Sequence, residues 1–440
     1  MKLSKIKVIL RDIIYDFNDK FPNLGKPFLE GWNIFHKIKF STKKIIQEGR
    51  GQLKYNSGSF TLAKILWVKP QKIDFYLTDD SVISSESSLE LKDGWDLSKK
   101  LIKDSLIYRT LKYKVIDKKN WEENKYYNLI LSQISKGIIK WGCNSKKELD
   151  DSLREIESLY HQIKNNADTI KENLKNKKDK EVLEKWGSFG KIVVAIDRNG
   201  QFIVIEGINN LLIAKLLNIP KIPVHINVRH KAWVDFKKKL YYFSTNYRNR
   251  KLYQRVTHPD LQTIPSTYGD IRFKIIKENL SIFHGTLLDI GANLGYFCRK
   301  FEEEGFDCYA VEINKLYIYF LTNLKKAENR KYKIIPNSIF NYKKNQEITF
   351  DVVLALNIFH HFLKRKNTYL NLITLLKRLK TKELYFGAHN PNEHRNIKVY
   401  RNYNPEQFVN FILENSCLNK AQLLIKFRNG RTIYKLTAED

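Results

Sequence analysis

The stretch GTLLDIGANLGYFC, residues Gly285 to Cys298, constrains the fold more than any other in this 440-residue chain. Its apolar run TLLDI has the length of a buried strand and stops at Gly291. Gly295 follows four residues later, and the amphipathic run YFCRKFEEEG comes next. The pattern predicts a strand, a tight glycine turn and the opening of a helix. Such a turn holds bare backbone N–H groups in front of the positive end of a helix, so it is shaped to receive a small ligand.

The residues around it repeat the theme. A helix, GDIRFKIIKENLSIF, leads into TLLDI, and a helix from Tyr296 to Glu304 follows. Then come strand DCYAVEI, helix LYIYFLTNLKKAE, strand YKIIPN, strand FDVVLAL, helix YLNLITLLKRL, strand ELYFGA and helix PEQFVNFILENS. AQLLIKF and RTIYKL close the chain as two alternating strands around an Asn429–Gly430 turn. Repeated strand–helix units predict an α/β, doubly wound, Rossmann-like parallel sheet with its ligand at the carboxyl ends of the strands. The last hairpin adds an antiparallel edge.

The turn itself narrows the ligand. A dinucleotide site needs G-x-G-x-x-G, so that the backbone can reach a pyrophosphate, but Asn293 stands in the place of the middle glycine. A P-loop ends in G-K-[ST], whereas Tyr296 follows Gly295. Neither phosphate pattern fits. S-adenosylmethionine has no phosphate and needs only close approach at Gly291 and Gly295. Asp289, at the end of the strand, is positioned to engage its amino group, directly or through water. Glu312, at the end of the next strand, falls where an acid accepts both ribose hydroxyls. A carboxylate suits that task because it offers two acceptor oxygens.

LLDIGANLGYF, CYAVE and FDVVLALNIFHHFL together resemble the class I S-adenosylmethionine-dependent methyltransferases, across Tyr268 to Leu436. The DIGANLG variant is similar to FkbM-type and related small-molecule or sugar methyltransferases. The resemblance implies S-adenosylmethionine as cofactor and a sheet ending in an antiparallel hairpin. It also implies that the loop PNSIF covers the adenine, with Asn337 and Ser338 where the family has its usual acid. It places the groups facing the reactive methyl at the end of the fourth strand, which makes Asn357, His360 and His361 the catalytic candidates. Methyl transfer needs alignment of the acceptor and, for a hydroxyl, removal of a proton, a task histidine suits near neutrality. The paired histidines have a plainer reading too, as a helix cap or packing beneath the ligand. GAHNPNEHR adds His389, Glu393 and His394 at the same mouth, read as a substrate-recognition loop rather than a metal site. The absence of an NPPY-like motif argues against amino methylation of DNA bases.

The middle of the chain, residues 96–239, has another texture. Helical spacing of Leu149, Leu153, Ile156 and Tyr160, opened by Ser145, predicts a long helix. KIVVAIDRNGQFIVIEG predicts two strands about Asn199–Gly200, INNLLIAKLLNI a helix, and PKIPVHINV a strand. VVAIDRNGQFIVIEGINNLLIAKLLNIPKIPVHINV resembles the α+β ParB/sulfiredoxin-like fold, matching at Gly207, at Ala214 to Leu217 and at Ile222–Pro223–Val224. Asn209 and Asn210 occupy the places of the family's functional His–Arg pair, so the resemblance implies a degenerate domain. Arg229 and His230 are left as a candidate basic site. The division expected is therefore 1–95 without a readable motif, 96–239 ParB-like and 240–440 methyltransferase. TDDSVISSESS, from Thr78 to Ser88, reads as a loop.

Composition separates the remaining functions. The net charge of +31 suits a nucleic-acid partner, but the lysines spread along the whole chain instead of forming a stripe. The densest run, NLKNKKDKE, carries acids as well and reads as a solvated helix end or linker. No apolar run reaches the roughly 18–20 residues of a membrane span. Four scattered cysteines without a C-x-x-C pair fit a reducing, cytoplasmic setting. The leading expectation comes from the two resemblances, which together imply O-methylation of a sugar or glycan precursor, or of another polar small molecule, in polysaccharide biosynthesis. An RNA methyltransferase and a non-catalytic adaptor remain open, as does the oligomeric state.

Overall fold

The computed structural model describes residues 65–77, 82–84, 89–91, 94–118, 120–246, 251–390, 392 and 399–438. Most of the expected 1–95 region lies outside them, as do Glu393 and His394. Residues 62–440 form one compact unit.

Two sheets organise that unit. The first draws on β1 (Ile65–Val68) and β2 (Phe75–Tyr76); β3 (Val82–Ser84) and β4 (Leu89–Leu91) make a separate antiparallel pair. The pair falls in and beside the stretch read as a loop. The first sheet continues with β5 (Lys100–Leu101), β6 (Val193–Ile196), β7 (Phe202–Glu206) and β8 (Ile222–Arg229), in the order β1-β8-β6-β7-β2-β5. Its helices are α1 (Leu106–Val115), α2 (Lys125–Ile134), α3 (Lys146–Lys175), α4 (Asp179–Gly187), α5 (Ile208–Leu216) and α6 (Lys231–Asn246). Ser145 caps α3 by accepting from the Glu148 amide at 3.3 Å, and Leu149, Leu153, Ile156, Ile163, Ala167 and Ile170 give it one buried face. The break between α3 and α4 falls in NLKNKKDKE.

The first sheet begins earlier than residue 96. β1 pairs with β8 and β2 with β7, so residues 65–76 belong to the same sheet as residues 193–229. Strands of four and two residues whose partners lie beyond residue 200 leave no local signal of where they belong. The Arg229–His230 pair is likewise not an open basic site. Arg229 is closed on buried Asp260 by contacts of 2.8–3.2 Å, Trp233 and Lys237 donate to the same carboxylate, and His230 Nδ1 accepts from the Ala232 amide.

The second sheet is reached through two short parallel strands, β9 (Leu252–Gln254) and β10 (Ser266–Tyr268), and helix α7 (Ile271–Glu278). It then alternates β11 (Gly285–Ile290), α8 (Tyr296–Glu303), β12 (Phe306–Val311), α9 (Lys315–Ala327), β13 (Lys333–Ile335) and β14 (Ile348–Leu356). After short α10 (Phe359–Phe362) and α11 (Lys366–Arg378) come β15 (Leu379–Ala388), α12 (Pro405–Asn415), β16 (Lys420–Lys426) and β17 (Thr432–Thr437). The strand order is β13-β12-β11-β14-β15-β17-β16, parallel up to β15 and antiparallel thereafter. The order reverses between β11 and β14, the crevice where open α/β sheets bind ligands. The hairpin edge and the alternation are those expected from the sequence.

A packed seam joins the two sheets. Leu294, Phe320, Leu324 and Ala327 from the second sheet's side bury into the first sheet's core. Beside them the His258 Nε2 lies 2.8 Å from the Gly200 carbonyl, and Thr257 donates to Glu328 at 2.6 Å. Among the described residues no helix is long and apolar enough to cross a membrane.

Candidate cofactor site

The glycine turn between β11 and α8 winds through three left-handed residues: Gly291 (φ 78°), Asn293 (φ 55°) and Gly295 (φ 73°). Asparagine is among the few non-glycine residues that adopt this conformation at small cost, which explains how Asn293 replaces the middle glycine. Gly295 has no such substitute, because a Cβ there would stand 2.2 Å from Leu321 Cδ1. The Gly291 and Ala292 amides donate to the Val311 carbonyl, tying the turn to β12. Glu312, one residue on, reaches back: its Oε2 accepts from the Asn293 amide at 2.8 Å. Its Oε1 accepts from the Ile313 and Asn314 amides at 2.9 and 2.8 Å. Ile313 beside it is 68% exposed, a bare apolar surface at the mouth.

Asp289 sits beneath the turn, buried, and its Oδ2 has no hydrogen-bond partner. Burial pushes its carboxyl up to about 7, and the charge of Glu312 adds to the shift. Burial also raises the Glu312 carboxyl, against three backbone amides that lower it. Asn293 Oδ1 is a second buried acceptor without a donor. A buried, unpartnered acid near neutrality is a place where a cationic donor is stabilised.

The segment between the sheets closes this place. Gln254 Oε1 accepts from the Leu294 and Tyr296 amides, both at 3.2 Å, at the start of α8. Tyr253, Tyr268, Arg272 and Tyr296 wall a cavity of about 20 Å³ against Asp289 and Gly291. That is room for about one water molecule, so a larger ligand displaces part of the wall. Arg272 is buried with its guanidinium 3.7 Å over the Tyr268 ring. The Asn357 amide meets its neighbours with its oxygen toward Arg272 Nη1 at 2.8 Å and the Tyr253 hydroxyl at 3.1 Å. Asn357, itself left-handed at φ 58°, thus faces the closing segment from the end of β14.

The histidines form one group. His360 and His361 lie with ring centroids 4.1 Å apart, and His389, from the end of β15, stacks on His360 at 4.9 Å. His360 and His389 are both buried. Asn337 and Ser338, after β13, are engaged locally: Asn337 Oδ1 accepts from the Ser338 amide at 2.7 Å, and Ser338 Oγ from the Phe340 amide. Glu312's own amide donates to Ile335, which keeps that loop beside the glycine turn.

Residues 288–379 match the family model described as a methyltransferase domain. That match implies a methyltransferase domain over these residues, with S-adenosylmethionine as its cofactor. Among solved structures, the methyltransferase domain's chain is similar to monomeric WbdD at 17% identity and a TM-score of 0.37, over 44% of this chain and 47% of that one. It is similar to the N-methyltransferase NodS from Bradyrhizobium japonicum WM9 at 14% and 0.31, over 39% and 96%. A third is a S-adenosylmethionine-dependent methyltransferase from Clostridium acetobutylicum ATCC 824, at 12% and 0.34, over 47% and 100%. The chain thus spans less than half the length of the WbdD chain. No curated protein matches it at the level of sequence.

The residues present fit the cofactor. The unpartnered Asp289 oxygen calls for a cationic donor such as an ammonium, Glu312 retains one acceptor site on Oε2 for a hydroxyl, and exposed Ile313 offers an apolar contact. Sequence reasoning missed Tyr253, Gln254, Tyr268 and Arg272. Tyr253, Gln254 and Tyr268 lie in strands of three residues outside the strand–helix alternation, and Arg272 lies in α7, a helix the sequence predicts without assigning it a role.

Proposed function

We propose that this chain is an S-adenosylmethionine-dependent methyltransferase that methylates a hydroxyl of a polar small molecule, with a sugar or glycan precursor as the favoured class. The histidine group at the carboxyl ends of β14 and β15 carries this reading. A hydroxyl acceptor must lose a proton as it attacks, and buried imidazoles beside the fourth strand are suited to take it. When bound, the cofactor supplies an electrophilic methyl on a sulfonium. Asp289 would hold its ammonium, Glu312 a ribose hydroxyl, and Arg272, set by Asn357 and Tyr253, its carboxylate. Gly291, Asn293 and Gly295 let the backbone come close, and Asn337 and Ser338 border the base. His360 is the proton acceptor, packed between His361 and His389; Asn357 acts as a positioning residue.

The first sheet supports the reading as a degenerate ParB/sulfiredoxin-like domain. The unit β7–Gly207–α5–β8 has that strand–turn–helix–strand order, and Asn210, in the place of a functional side chain, is spent on the Phe189 carbonyl at 2.7 Å. Its role here is a scaffold behind the cofactor site. Four unpaired cysteines fit a cytoplasmic setting.

A panel of sugars, nucleotide sugars and RNAs, incubated with full-length protein and methyl-labelled cofactor, tests the substrate class. Labelling of a hydroxyl-bearing sugar, with His360→Ala at least tenfold slower at unchanged cofactor affinity, supports the proposal. RNA methylation in its place favours the second reading, to which the +31 charge gives some support. Binding that falls steeply with salt would accompany it. No acceptor with intact cofactor binding favours an adaptor.

A further inference from the structure

A second cleft, of about 450 Å³, opens at the seam on the side of the first sheet. It is walled by the end of β1 and the turn after it, the last turn of α3, the loop before β8, and residues 257–262. Five lysines line it: Lys69, Lys72, Lys171, Lys175 and Lys221. No carboxylate does. Their charge is only partly answered from outside the cleft. Lys72 reaches buried Glu328 at 3.4 Å and Glu303 at 3.9 Å, Lys221 reaches Asp179 at 3.4 Å, and Lys171 reaches the fully exposed Asp168 at 3.8 Å. Among the described residues Lys69 and Lys175 have no ion pair, although both are exposed and free to find one.

We propose that this cleft binds a small phosphorylated ligand carrying two or more phosphates. Five lysines along one concave surface raise the local concentration of polyanions, and lysine is a phosphate ligand wherever a compact point charge suffices. The carboxyl end of α3 opposes an anion with roughly half a charge, an amount the lysines exceed several-fold. The volume falls in the range of small-molecule sites, roughly 300–1,000 Å³. A nucleic-acid groove would need a continuous stripe and open aromatic faces for the bases. Here Trp67 is the one aromatic on the cleft, and the Lys221 ammonium already lies 4.7 Å over its ring. The ligand is therefore read through its phosphates. The site is separate from Asp289 and Glu312, but Thr257 is on its wall, three residues from the Gln254 that holds the start of α8.

Calorimetric titration of the full chain with pyrophosphate, tripolyphosphate and ADP tests this, with Lys69→Glu/Lys175→Glu against Lys136→Glu/Lys147→Glu. The control pair is exposed, lies outside the cleft and changes the net charge equally. The proposal expects saturable one-to-one binding, weakened at least tenfold in the cleft variant, retained in the control, and unaffected by Glu312→Gln. Absence of saturable binding to the wild type overturns it, as does equal weakening in both double variants, which would mean diffuse attraction by net charge. Failure of the three phosphates together with RNA binding that tightens with strand length overturns it in favour of nucleic acid. A matched melting temperature for the two variants ensures that loss of binding is not loss of fold.

Discussion

The chain makes the same local structure twice and uses it differently. In the first sheet β7 turns through left-handed Gly207 (φ 73°) into α5; in the second, β11 turns through Gly291 and Gly295 into α8. Both turns demand glycine by contact. A Cβ on Gly207 would stand 2.2 Å from the Lys191 carbonyl oxygen, and one on Gly295 would stand 2.2 Å from Leu321. The first turn is filled by its own chain, with Asn210 donating to Phe189 and one neutral acceptor, Asn209 Oδ1, left over. The second leaves a buried carboxylate oxygen unpartnered and its acid titrating near neutrality. A strand–glycine–helix turn is a piece of fold; what sets the second apart is the unpartnered buried acid beneath it.

The largest effect is expected where the two regions are joined. Arg299 and Glu328 are both buried at the seam; burial alone would raise the Glu328 carboxyl, yet Arg299 and Lys72 hold it down at about 2. Glu328→Ala strands a buried guanidinium and costs about 3–5 kcal/mol in denaturant melting. A loss below about 1 kcal/mol would show that the regions stand independently. The carboxyl lies lower folded than unfolded, so its stabilisation is present above about pH 4.5 and is lost as pH falls toward 2.

Gly207→Ala sharpens the contrast between the turns. It places a side chain at positive φ against a backbone atom and costs roughly 1–3 kcal/mol of stability. Cofactor affinity, measured well below the melting temperature, should stay within twofold of wild type. A parallel loss of affinity would make the first turn part of the site.

Asp289 gives the next effect, with a sign that can be worked out. A cationic donor binds its ionised form, so affinity for S-adenosylmethionine should fall by up to tenfold per unit as pH drops below about 7. Asp289→Asn should bind at least tenfold more weakly at pH 8 and lose that slope. Its carboxyl is higher folded than unfolded, so the fold loses stability as pH rises from about 4 to about 7. Asp289→Asn should therefore melt higher than wild type at pH 8. A variant that binds worse yet melts higher marks a residue kept for its ligand. The smallest effect is that of Tyr253→Phe, which removes one hydrogen bond to Asn357 and should weaken cofactor binding by about 0.5–1.5 kcal/mol, read by the same titration.

The second sheet was legible because each strand and helix carries its own period, and Glu312 was legible by its place at the end of the next strand. The Asn429–Gly430 turn announced the hairpin. Of the first region, α3 and the run from β6 to β8 were legible, whereas β1 and β2 pair across the chain and carry no local sign of it. Asn357, His360 and His361 could be named from the end of β14, but their division could not. Asn357 turns to Tyr253 and Arg272, while His360 joins His361 and His389. Stacking between the ends of two strands is a tertiary fact with no spacing to betray it.

One measurement bears most directly on the central claim, that the charge beneath the second turn is a cofactor site: calorimetric titration of the full chain with S-adenosylmethionine at pH 8, beside Glu312→Gln. The account predicts saturable one-to-one binding to wild type and at least tenfold weaker binding to the variant, with an unfolding transition that remains cooperative. Equal affinity for both, or no binding to wild type, would contradict it.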